Sequence, residues 1–311
     1  METYIAVDVG GTQLRAACYP KGETKPLLQK RTSTHGKEGS PVDRLLDLIA
    51  TVWPDHATVK AIGVAVPGPT NHKQGILYRA PNIPGWENLP LVQIIQSRFN
   101  TRTALGNDAN MAAMGEWRFG AARGHQNVLY LTISTGIGAG VICDDRLVLG
   151  QNGLATELGH ITVMPDGPVC GCGHKGHLEA LASGTAIARY AAEQLAKGIP
   201  SSLSQTPNPS SRDVGMAAEN GDPLAREALT RAGRYLGWAV ADFLHMFNPS
   251  IIVLGGGVSQ TGPLLIEPMR QAMSERVMSP EYLHGLAIAT AALGDNAGLM
   301  GALALAESVS K

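Results

Sequence analysis

Tyr4-Ile5-Ala6-Val7-Asp8-Val9-Gly10-Gly11-Thr12-Gln13-Leu14-Arg15-Ala16-Ala17-Cys18 is an apolar run that ends on a carboxylate, turns through two glycines and resumes an extended apolar pattern. It reads as a β-hairpin. A second strand–turn–strand of the same kind lies far along the chain, in Asn127–Ile133, Ser134-Thr135-Gly136-Ile137-Gly138 and Ala139–Cys143. Pro41 to Trp53 carries apolar residues at helical spacing, and Val59 to Val66 is a strand stopped by Pro67-Gly68-Pro69. Helices alternating with strands indicate an α/β fold, and two glycine-turned hairpins in 311 residues, 44% of them hydrophobic, point to two domains of related topology.

Apolar positions follow a helical period from Glu179 to Ala196 and from Pro223 to Phe247, with a Ser/Pro-rich loop from Gly198 to Ser211 between them. Asn248-Pro249 ends the second of these helices, Ser250 to Gly257 is a buried strand running into a glycine turn, and Asp295 to Glu307 is a closing helix. The net charge of -1 gives no basic field for nucleic acid. No apolar run reaches the ~18 residues of a membrane span, and no targeting pattern precedes the first strand, so a cytoplasmic protein is expected. The expected partners are small molecules and further copies of the chain, as a homodimer or higher homo-oligomer.

Gly10-Gly11-Thr12 and Thr135-Gly136 can each present backbone N–H groups to phosphate oxygens, or can simply be tight hairpins. The P-loop pattern is absent, and neither turn makes a clean G-x-G-x-x-G. Asp108 stands where the strand Thr103-Ala104-Leu105 gives way to a helix, and on local sequence alone an N-cap is its simpler reading. Cys18 and Cys143 fall in apolar strand-like segments and read as core residues. Cys170 and Cys172, one residue apart in a stretch rich in Gly and His, point to metal rather than to a disulfide.

Taken in order, Asp8-Val9-Gly10-Gly11-Thr12, Asn107-Asp108-Ala109-Asn110, Ser134-Thr135-Gly136-Ile137-Gly138, Glu157-Leu158-Gly159-His160, the run Cys170-Gly171-Cys172-Gly173-His174-Lys175-Gly176-His177-Leu178-Glu179 and Leu254-Gly255-Gly256-Gly257 closely resemble the repressor/ORF/kinase (ROK) family. The resemblance spans nearly the whole chain; its most specific part is Glu-x-Gly-His combined with Cys-x-Cys-Gly-x-x-Gly. It implies a two-domain actin/hexokinase-like (ribonuclease H-like) ATPase fold. The small α/β domain would comprise residues 1–117 plus 294–311, and the large one, with a zinc-binding loop, residues 118–293. ATP phosphates would lie between the hairpins, against Asp8, Gly10, Gly11, Thr12, Thr135 and Gly136. Gly255 and Gly256 would flank the adenosine, a close helix–strand packing turn being their other reading. Asp108 would be the catalytic base that accepts the proton of the attacking sugar hydroxyl, with Mg²⁺ required alongside ATP. Asn107, Glu157, His160 and Glu179 would bind the sugar, and Gly68 and Asn82 are further candidates that could equally sit in ordinary proline turns.

The resemblance also implies structural Zn²⁺ on His160, Cys170 and Cys172. Relatives generally place a third Cys where this chain has His177, so a Cys2His2 set with His177 is expected, His174 being the substitute. Gln13 stands where many relatives carry Lys; Arg15 is near enough in sequence to bear on the same phosphates. The implied activity is ATP-dependent phosphorylation of a hexose, glucose first, with N-acetylmannosamine, N-acetylglucosamine, fructose and allose as alternatives. Repressors of this family carry a winged-helix segment ahead of the kinase-like body; here three residues precede the first strand, so a kinase is expected rather than a regulator or a non-catalytic sugar-binding protein.

Overall fold

The computed structural model describes residues 1–36 and 39–310. In chain order its strands and α-helices are β1 (Glu2–Val9), β2 (Gln13–Pro20), β3 (Leu28–Ser33), α1 (Pro41–Thr51), β4 (Thr58–Val66), β5 (Thr70–Asn71), β6 (Ile76–Arg79), β7 (Glu87–Leu89), α2 (Leu91–Phe99), β8 (Thr103–Asn107), α3 (Asp108–Phe119), β9 (Val128–Ile133), β10 (Ile137–Cys143), β11 (Arg146–Leu147), α4 (Leu178–Ala182), α5 (Gly184–Ala196), α6 (Ser211–Glu219), α7 (Pro223–Phe247), β12 (Ile251–Gly255), α8 (Pro263–Ser274), β13 (Ala287–Thr290) and α9 (Ala297–Val309). They form two compact units. The first gathers Met1–His125, Gly140–Thr156 and the chain from Ala292 on; the second gathers Gln126–Ala139 and Glu157–Ala291.

In the first unit the main sheet runs β3-β2-β1-β4-β8. β1 and β2 make the expected hairpin, with Val9 opposite Leu14, while β1, β4 and β8 are mutually parallel. The period-2 alternation of strand side chains sorts residues by size. Ile5, Val7, Leu14, Ile62 and Val64 share one core with Leu45 and Ile49 of α1 and Leu91 and Ile95 of α2. Ala6, Ala17, Ala61 and Ala65 are buried in the other, with Met111 of α3 and Leu299, Ala302, Leu303 and Ala306 of α9. Alanines on that face let α9 lie close to the sheet.

The second sheet is ordered β11-β10-β9-β12-β13, and β12 is parallel to both β9 and β13. The plan repeats that of the first sheet: the opening strand of a hairpin is central and pairs in parallel with a later buried strand, here Ile251–Gly255. The compact units differ from a division at 117/118 and 293/294 chiefly in Gly140–Thr156, which goes with α3: a Cβ at Gly140 would lie 2.5 Å from that of Ala113, and Thr156 Oγ1 is 3.3 Å from Asn110 Oδ1.

Two helical expectations are corrected. The single helix read from Glu179 to Ala196 is two, because Ser183 takes an extended conformation (φ -70°, ψ 166°) and its hydroxyl accepts the Ala186 N–H as the N-cap of α5. Ser211, placed at the end of a loop, begins α6, which is opened by a capping box between Ser210 and Asp213. No described helix is long and apolar enough to cross a membrane.

Among the described residues one Asp, Glu, Lys or Arg side chain is wholly buried. Glu116, near the end of α3, accepts the N–H groups of Ala121 (2.8 Å) and Ala292 (3.1 Å) on Oε2 and that of Leu293 (2.8 Å) on Oε1. It thereby ties the segment leaving α3 to the segment entering α9.

Candidate active site

Because β1, β4 and β8 are parallel, their C-terminal ends place Asp8, Pro67-Gly68-Pro69 and Asn107-Asp108 at one end of the first sheet, where open α/β sheets bind ligands. Asp8 is paired with Arg15, its partner across the hairpin, through Nε at 3.1 Å and through Nη2. Burial pushes its carboxyl above the ordinary aspartate value against the pull of that guanidinium. Arg15 is therefore committed to Asp8. The Gly10 N–H donates to Gln13 O (2.8 Å), while Thr34 donates its hydroxyl to Gly10 O (2.6 Å) and its N–H to Thr12 O (2.9 Å), fixing the turn from behind. Gly11 approaches Asn82 so closely that a Cβ there would lie 2.9 Å from the Asn82 Cβ.

Asn107 is the N-cap of α3: its Oδ1 accepts the N–H groups of Ala109 (3.0 Å) and Asn110 (3.3 Å). Its Nδ2 donates to Gly68 O at 3.1 Å, leaving one amide hydrogen for a ligand. The cap that local sequence favoured for Asp108 thus falls to its neighbour. Asp108 is the exposed first residue of α3, with Oδ1 accepting the Ala109 N–H at 2.8 Å.

In the second unit the glycine turn between β9 and β10 is held by the segment that follows the Cys/His run. Glu179 Oε2 accepts the Ile137 N–H at 3.0 Å, and a Cβ at Gly136 would lie 2.4 Å from that same oxygen, so position 136 has no space for a side chain. Glu179 Oε1 is 3.5 Å from Cys170 Sγ. Cys170 Sγ lies 3.7 Å from His160 Nδ1, and Cys172 Sγ 3.2 Å from His177 Nδ1. Glu157, two residues ahead of the turn containing Gly159 and His160, has its carboxyl raised by desolvation and by the Glu179 charge, with His160 opposing.

The ligand atoms of His160, Cys170, Cys172 and His177 all lie within 4.8 Å of one another. A tetrahedral ion with bonds of ~2.0–2.3 Å spaces its ligands roughly 3.3–3.8 Å apart, so closing the set needs shifts of about an ångström or less. His174 is exposed and stands outside the group, its ring 5.7 Å from that of His177. Burial pushes the Cys170 thiol up to about 11 and, with the neighbouring histidines, holds His177 below its ordinary value. An arriving ion therefore displaces a thiol proton but meets an imidazole already inclined to be neutral.

Gly256, with φ +83°, lies where a Cβ would meet the backbone of Ile133 at 2.3 Å, so β12 turns directly beside the end of β9. Next to it a cavity of about 490 Å³ is lined by Ser134 and Thr135, by Arg212, Met216 and Glu219 of α6, and by Gly257, Val258, Gln260 and Thr261. The α6 side of this cavity was not legible in composition, although the Ser-x-x-Asp capping box at 210–213 marked the helix.

The ROK family model matches residues 4–309. The chain belongs to the ROK family. It is 35% identical to a glucokinase of Thermotoga maritima, covering 97% of this chain and 96% of that one. A ROK family glucokinase from Streptomyces griseus, crystallised with glucose and AMPPNP, superposes with a TM-score of 0.80 at 35% identity, covering 98% and 99% of the two chains. A ROK family transcriptional regulator homologous to the E. coli MLC protein superposes with a TM-score of 0.89 at 29% identity, and here the ROK fold covers 99% of this chain and 78% of the other. The fold is the two-domain actin/hexokinase-like class of these ROK proteins, as the sequence implied.

Proposed function

We propose that this ROK protein is an ATP-dependent hexose kinase whose main acceptor is glucose, yielding glucose 6-phosphate. The observation that carries the reading is Asp108: a solvent-exposed carboxylate at the first position of α3, next to the N-cap Asn107, in a chain closely similar to glucokinases over almost its full length. The sugar hydroxyl oxygen attacks the γ-phosphorus, its proton passes to Asp108, and the bond to the ADP oxygen breaks. Asn107 offers its remaining amide hydrogen beside the attacked hydroxyl. Glu157, His160 and Glu179 supply acceptors and an imidazole nitrogen for the other hydroxyls; with Nδ1 turned to Cys170, His160 keeps Nε2 for the sugar.

The turns at Gly10–Thr12 and Thr135–Gly136 are the phosphate cradles in this reading, Asp8 lies beside the first, and the cavity next to Gly255-Gly256 takes the adenosine. Mg²⁺ carried by the nucleotide offsets charge on the transferred group, which matters more here because Arg15 is bound to Asp8. ADP release over a panel of glucose, N-acetylmannosamine, N-acetylglucosamine, fructose and allose is expected to be greatest with glucose and to stop in excess EDTA with bound zinc retained. Binding of glucose with no ADP release from any hexose would instead favour a sugar-responsive regulator.

His160, Cys170, Cys172 and His177 would hold a structural Zn²⁺, all four positions being filled by protein. Its contribution is to fix the loop that carries His160 and Glu179. About one zinc per chain is expected by elemental analysis, falling in His177→Ala and restored in His177→Cys. Unchanged zinc in His177→Ala would remove His177 from the set.

A further inference from the structure

We infer that Glu179 is a positioning residue for the nucleotide phosphates, and that the Cys/His knuckle sets donor affinity through it. The inference rests on the kinase reading above and extends the knuckle's role from the sugar to the nucleotide. Three hydrogen bonds join the residue 179–185 segment to the β9–β10 turn: Ile137 N–H to Glu179 Oε2 (3.0 Å), Gly184 N–H to Ser134 O (2.7 Å) and Thr185 hydroxyl to Thr135 O (2.8 Å). The bonds reach Ser134, Thr135 and Ile137, and the two acceptor carbonyls belong to Ser134 and Thr135, which also line the 490 Å³ cavity. Orienting these peptides fixes which way their N–H groups point, and those groups are what a phosphate would meet.

The other end of the segment starts at the knuckle. His177 is the N-cap of α4, yet its side chain makes no capping bond and turns to Cys172 instead. Its backbone bridges to Thr162, and the next residue, Leu178, donates its N–H to Ile161 O at 3.0 Å. Glu179 follows in the first turn of α4, with its second oxygen near Cys170. A shift of His177 therefore moves Glu179 at once, and α5 follows across the break at Ser183. A carboxylate that only bound sugar would have no need to accept the Ile137 N–H.

The test separates the acceptor from the charge. AMPPNP with Mg²⁺ is titrated calorimetrically without sugar, glucose is titrated separately, and exchange of the Ile137 amide is followed by NMR in the zinc-loaded wild type, Glu179→Gln, Glu179→Ala and chelator-treated wild type. Gln can still present a carbonyl to Ile137, so Glu179→Gln is expected to weaken glucose while keeping AMPPNP affinity and Ile137 protection. Glu179→Ala and the metal-free protein are expected to lose roughly tenfold in AMPPNP affinity, the scale of one hydrogen bond to a charged group, and to lose protection at Ile137. Unchanged AMPPNP affinity and protection in Glu179→Ala would overturn the role of Glu179, and the same result in the metal-free protein would overturn its coupling to the knuckle. If the wild type bound neither AMPPNP nor glucose, the kinase reading would fail by itself, and Ile137 exchange would still decide whether the strut exists.

Discussion

Asp108→Asn is expected to lower kcat for glucose by at least ~10²-fold while glucose and AMPPNP still bind, because general-base catalysis contributes about 10²–10⁴ and the amide keeps the size of the carboxylate without its basicity. The substitution is unusually clean for a residue that begins a helix. Asn107 Oδ1 caps α3 and an amide oxygen at position 108 can still accept the Ala109 N–H, so the variant should unfold close to the denaturant concentration of the wild type. Asn107→Ala is the contrasting case, since it removes the cap and the bond to Gly68 O together and should cost about 0.5–2 kcal/mol of stability. Steady-state kinetics paired with urea unfolding separates the two. Near wild-type turnover in Asp108→Asn would take the base assignment away from that residue.

The largest stability effect is expected at Glu116. Truncation of the buried Glu116 side chain to Ala leaves the N–H groups of Ala121, Ala292 and Leu293 without their acceptor, each worth about 1–3 kcal/mol where water cannot replace it; Ala292 is exposed and can be resolvated, so a total loss of about 2–4 kcal/mol is expected. Glu116→Gln should be intermediate: one carbonyl oxygen remains, but its NH2 must face a second donor. Urea unfolding of the three proteins measures this, and a loss below about 1 kcal/mol in Glu116→Ala would show that the clamp is not needed.

Asp108 and Glu116 also mark what the sequence could and could not disclose. The strand-to-helix transition at Asn107-Asp108 was visible because apolar period, polar pair and helix formers change within a few residues. Which of the two caps the helix was not, since Asn and Asp serve equally and only the path of the chain decides. Glu116 gave no signal at all: Met-Gly-Glu-Trp-Arg reads as any solvated helix surface, and two of its three partners, Ala292 and Leu293, come from far along the chain. The two hairpins and the Cys/His loop were legible because glycine turns and ligand spacing are local. The approach of Glu179 to Gly136 was not, as it joins segments some forty residues apart, and the helix break at Ser183 was likewise concealed by an unbroken apolar period. The four ligand candidates were named from the sequence, and the structure gathers them while leaving His174 aside.

The position of α9 bears on how the protein is made. The alanine face of the first sheet is covered by the last helix in the chain, whereas the strands that form this face are complete by residue 107. At ~5–20 residues per second, the roughly 170 residues between His125 and Ala292 take about 10–30 s to synthesise. For that interval a nascent chain carries a nearly finished sheet whose alanine side has α3 but not α9 against it, so the order of elements along the chain sets how long that apolar surface stays exposed, however stable the completed enzyme becomes.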